Sequence, residues 1–104
     1  AVLLVGFDVN ATGALASVTA SEGLLAVAIV LAPARGPRSR TGLEITLRNG
    51  PTSPAPLLSP AARALAGNAM ADALPFFEAL AATAMPPLTL PLSASLALRL
   101  EPLA

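Results

Sequence analysis

Leu3, Val5, Phe7, Val9 and Ala11 are apolar, while Asp8, Asn10 and Thr12 between them are polar. Side chains on a strand point alternately to its two faces, so this period of two predicts a strand. Gly13 interrupts it. Ala14, Ala16, Val18 and Ala20 then alternate with Leu15, Ser17, Thr19 and Ser21, predicting a second strand closed by the turn Ser21-Glu22-Gly23. Leu24 to Ala32 is apolar on both faces, the pattern of a central strand covered twice. Farther on, Leu43, Ile45 and Leu47 oppose Glu44, Thr46 and Arg48, a half-exposed strand that Asn49-Gly50-Pro51 stops. Residues 50–58 are proline-rich, too stiff and donor-poor for a sheet interior, and read as a linker.

Ser59-Pro60 supplies an N-cap followed by proline at the first helical position, where its missing N–H costs nothing. Leu65, Ala69, Met70, Ala73, Leu74, Phe77, Leu80 and Ala81 then recur at spacings of three and four, predicting a helix over 59–85, kinked at Pro75 and ended by Pro86-Pro87. From Leu88 to Leu100 the even positions are leucine or alanine and the odd ones mostly polar, predicting one long strand over 87–101. At about 3.3 Å per residue it would extend roughly 40 Å, with Pro91 on a sheet edge or at a bulge. The expected fold is α+β in a single domain, residues 1–104. Its antiparallel sheet has about five strands, four N-terminal and one long C-terminal, packed on one long, proline-kinked helix.

Composition narrows the function classes. Apolar residues make up 55% of the 104, only 12% are charged, the net charge is zero and the mean hydropathy is +0.73. Soluble surfaces normally carry about a quarter charged residues, so part of the apolar surface calls for a cover, and neutrality favours association. No run reaches the roughly 18 apolar residues of a transmembrane helix. The chain starts at Ala1 without a basic leader, like a processed mature form, a trimmed chain or a fragment, and this leans toward an extracytoplasmic place or an external assembly. Cysteine, histidine, lysine, glutamine, tyrosine and tryptophan are all missing. So narrow an alphabet fits a high-GC genome, a designed sequence, or residue identities assigned from incomplete information.

That alphabet also removes most chemistry. Without histidine, cysteine or lysine there is no Ser–His or Cys–His pair, no zinc cluster and no catalytic lysine. Of the six carboxylates only Asp72 and Glu78 share a predicted element, six apart on the helix and well separated around it, Gly-rich phosphate loops are missing, and the expectation is a protein with no catalytic, cofactor or metal site. Arg35, Arg38 and Arg40 form the one charge cluster, a candidate anion contact; no aromatic residue is interleaved for base stacking, so no nucleic-acid partner is expected. Asn10-Ala11-Thr12 matches the glycosylation acceptor pattern at Asn10. Met70, Phe76, Phe77 and Leu92 are candidate lining for an apolar ligand, set against ordinary core packing.

Phe7-Asp8-Val9-Asn10-Ala11-Thr12, the helix from Ala61 to Met85, and Met85-Pro86-Pro87-Leu88-Thr89-Leu90-Pro91-Leu92 together resemble half of a tubular lipid-binding (TULIP, BPI-like) module. The resemblance implies a long helix wrapped by long curved strands around a lipid; it assigns no functional residue. The residues themselves favour a non-enzymatic structural subunit that buries apolar surface in a homo-oligomer or a larger protein assembly. The alternatives are a small carrier of lipid or another apolar ligand and a designed scaffold without biological function.

Overall fold

A computed structural model describes residues 1–10, 13–14, 21–50, 53 and 55–103. Among the described residues there are five strands: β1 (Val2–Asp8), β2 (Leu25–Leu31), β3 (Leu43–Asn49), β4 (Leu88–Ser93) and β5 (Leu96–Pro102). Two α-helices, α1 (Pro60–Ala64) and α2 (Leu74–Ala81), flank a 3₁₀ helix, Ala69–Ala73. The chain divides into two compact units, Ala1–Ala34 with Ser59–Ala71, and Arg35–Leu58 with Asp72–Ala104.

The α+β class with antiparallel strands stands, but the single sheet and the single long helix do not. The strands form two separate sheets, β1-β2 and β3-β5-β4. The predicted strand over 14–21 lies, apart from Ala14 and Ser21, outside the described residues.

In the first unit, β1 and β2 pair antiparallel from Val2↔Leu31 to Asp8↔Leu25. Gly23, at φ +73°, takes a left-handed conformation that suits glycine as the chain turns toward β2. Ser59 caps α1 as its sequence position predicts, its hydroxyl accepting from the Ala62 N–H at 3.1 Å, with Pro60 in the first turn. The expected helix nevertheless stops at Ala64. Gly67 and Asn68 divert their polar groups from the helix. The Gly67 carbonyl accepts from the Glu22 N–H at 3.0 Å, and the Asn68 side chain reaches the carbonyls around the start of β2. Farther on, in the second unit, Pro75 has no N–H to give and fits only a first turn, so α2 begins afresh at Leu74 instead of continuing through a kink. Among the described residues of the first unit, Leu25, Ala62, Ala71 and Asn68 are buried.

In the second unit, the expected 87–101 strand folds back at Ala94-Ser95 into the hairpin β4–β5. Continued without interruption, the Ser93↔Leu96 pair at the turn would set Leu90 against Arg99. A bulge between Pro91 and Ser93 shifts the register, so that Leu90 faces Leu98 and Leu88 faces Leu100. One alternating sequence thereby keeps its leucines on one face in both arms of a hairpin. Pro91 sits in β4, an edge strand, where a missing donor is tolerated. Central β5 also pairs with β3, Ile45 opposite Leu100 and Leu47 opposite Leu98, and α2 lies against β4. Leu100, Ala79 and Ala97 are buried. Ala97 belongs by alternation to the face of Arg99 and Glu101, yet it is only 1% exposed.

Candidate functional site

Strand β1 carries Leu3, Val5 and Phe7 on one face, and the register sets them opposite Val30, Ala28 and Ala26 of β2. All six residues are exposed. Leu3 is 63% exposed, Val5 64%, Phe7 69% and Val30 65%, values that belong to charged surface positions rather than to an aliphatic sheet face. Val9 and Leu24 extend the same exposed apolar run beyond the strand ends. The sequence pattern of β2, apolar on both faces, predicted a strand covered twice. Among the described residues the strand pairs with β1 alone and neither face is covered along its whole length, so the expectation of a central strand covered twice is corrected.

On the opposite face only the end around Gly6, Val27 and Leu25 packs inward, while Val2 and Leu4 at its other end are exposed. Leu25 is buried, and the Met70 thioether lies so close to Gly6 that a Cβ there would meet Met70 Cε at 2.7 Å. A polar node pins this face at its end. Asn68, 4% exposed, holds Nδ2 within 3.3 Å of the Asp8 carbonyl, 3.0 Å of Glu22's and 3.1 Å of Gly23's, while its Oδ1 accepts from the Met70 N–H at 2.9 Å. Ser21 donates to the Asp8 carboxylate and accepts from the Ala69 N–H at 2.9 Å. The node is saturated by the chain's own groups, which makes it a clasp rather than a reactive centre. Its end of the hairpin is held in place and the apolar face is left to solvent.

The residues singled out from sequence are scattered. Met70 belongs to the first unit, against Gly6, whereas Phe76, Phe77 and Leu92 belong to the second. Phe76 and Phe77 meet edge to face, with ring centroids 5.4 Å apart, and Leu92 is exposed at the β4 bulge. Arg35, Arg38 and Arg40 are exposed on a loop whose turn is closed by Gly36 N–H to Ser39 Oγ at 2.8 Å and Ser39 N–H to the Gly36 carbonyl at 3.0 Å. Asn10 is exposed beyond the end of β1; Ala11 and Thr12 of its motif lie outside the described residues. Glu78 accepts from the Leu58 N–H at 2.8 Å, and Arg99 pairs with Glu101 at 3.2 Å. Among the described residues no group of three or more potential metal ligands comes together, and no helix is long and apolar enough to cross a membrane.

Sequence reasoning missed Asn68, whose signal was a lone amide beside Gly67 inside an alanine-rich pattern. It also missed the exposed face of β1, because alternation marks an apolar face without saying what covers it. No family model matches the chain, and neither does any curated protein or solved structure.

Proposed function

We propose that this chain is a non-enzymatic structural subunit that buries the apolar face of β1–β2 against another protein surface, in a homo-oligomer or a larger assembly. The observation that carries this reading is the uncharged face Leu3, Val5, Phe7, Ala26, Ala28 and Val30, all of it exposed. Contiguous exposed apolar surface on a sheet marks interaction sites, and a two-stranded sheet on its own is marginally stable in water. Low charge and a core dominated by alanine support the same reading: four of the six buried apolar residues among those described are alanine.

Sedimentation velocity over a wide concentration range tests it, with the wild type beside Val5→Asp. The wild type is expected to associate, and Val5→Asp to stay folded with its association weakened. A wild-type monomer at the highest concentration overturns the reading. If native mass spectrometry shows such a monomer carrying an extractable lipid, a carrier takes its place.

A further inference from the structure

Strand β3 is an edge of its sheet, bonded among the described residues to β5 alone, and Glu44 to Asn49 are exposed. Just beyond its two ends, Leu103 N–H donates to the Gly42 carbonyl at 2.8 Å, and Gly50 N–H donates to the Ser95 carbonyl at 2.9 Å. Antiparallel ladders alternate, so the register turns the backbone groups of Glu44, Thr46 and Arg48 toward β5 and those of Leu43, Ile45, Leu47 and Asn49 outward. An outward row of donors and acceptors is a template for another strand.

We propose that this edge pairs antiparallel with β3 of a second copy, about a two-fold axis through Thr46. Only outward-facing residues can exchange hydrogen bonds across the new seam, which restricts the register to odd positions opposite odd positions. Centred on Thr46, Ile45 bonds with Leu47 of the second copy and Leu43 with Asn49. Glu44 then falls opposite Arg48 of the second copy, and by symmetry Arg48 opposite its Glu44. Sliding the pairing to the next permitted register either way sets Glu44 or Arg48 against Thr46 and loses both charge pairs. Charge complementarity therefore selects one register. The pairing also keeps Leu43, Ile45 and Leu47 on the same face in both copies, so the apolar face continues across the seam. The proposal rests on the assembly reading above and names one of its contacts.

The test is sedimentation velocity on the whole chain, with circular dichroism confirming the fold of each variant. Glu44→Arg alone sets arginine against arginine at both seam positions, and Arg48→Glu alone sets glutamate against glutamate. Each is expected to weaken self-association roughly tenfold. Mixing the two restores attraction at both positions, so the mixture should associate like the wild type. Ile45→Pro removes an outward N–H and no bond to β5, and is expected to block the seam in a folded chain. Association unchanged by both reversals and by Ile45→Pro, yet abolished by Val5→Asp, overturns the edge pairing and leaves the assembly reading standing. A wild type that stays monomeric removes both.

Discussion

Asn68 donates from Nδ2 to the main-chain carbonyl of Asp8, 60 positions earlier in the chain, at 3.3 Å. With its bonds to Glu22 and Gly23, this one amide joins the turn after α1 to the end of β1 and the start of β2. Three carbonyls converge on a buried donor, so removing it leaves acceptors without a partner. Asn68→Ala is expected to cost about 1–3 kcal/mol in chemical denaturation. Asn68→Asp keeps the shape but aims a carboxylate oxygen at the same carbonyls, and is expected to cost more at neutral pH. Equal losses for the two would show that shape, not the donor, holds the clasp.

The bulge at Leu92 makes an unusual deletion prediction. Removing Leu92 leaves Ser93↔Leu96, Pro91↔Ala97 and Leu90↔Leu98 in place and takes out only an exposed, unpaired residue. The loss is expected to stay below about 1 kcal/mol, as for a surface change. Removing Leu90 instead moves Leu88 to the polar face and Thr89 to the leucine face, a one-residue slip that inverts every side chain upstream of it. Thermal unfolding of the two single-residue deletions decides this. A Leu92 deletion as damaging as the Leu90 deletion would refute the register.

These cases show where the sequence speaks. Strands β1, β2 and β3 were legible because alternation and turn residues are local signals, and the cap at Ser59 because its geometry involves only neighbouring residues. The hairpin was illegible because the pattern from Leu88 to Leu100 runs unbroken through the turn; only the bulge, a tertiary feature, reconciles the two. The long helix failed for a related reason. Apolar spacing continues through Gly67 and Pro75, but Asn68 bonds outside the helix, and proline tolerates only a first turn. The exposed face of β1–β2 was legible as apolar and illegible as uncovered.

Leu100 and Arg99 are adjacent in β5 and lie on opposite faces. Leu100 is 3% exposed, opposite both Ile45 and Leu88, so Leu100→Ala is expected to cost about 2–5 kcal/mol. Arg99 donates to Thr89 Oγ1 at 3.1 Å and pairs with Glu101 at a partly exposed position, so Arg99→Ser is expected to cost about 1 kcal/mol or less. Leu96→Asp, on the leucine face nearer the turn, should fall with the severe changes. Denaturant midpoints that reverse the order of Leu100→Ala and Arg99→Ser would place β5 the other way round.

Salt separates the two contacts proposed for assembly. The β1–β2 face carries no charge, so association through it should be flat in sodium chloride and strengthened by ammonium sulfate, which is excluded from apolar surface. The β3 seam adds two exposed Glu44–Arg48 pairs, whose attraction is screened as the Debye length falls from about 10 Å at 0.1 M to about 3 Å at 1 M. In the Val5→Asp background, where the face is disabled, any remaining association should therefore weaken with sodium chloride. In the Ile45→Pro background, where the seam is blocked, it should not. Light scattering across a salt series in both backgrounds measures this, and identical salt responses would mean that the charge pairs do not set the register of the edge.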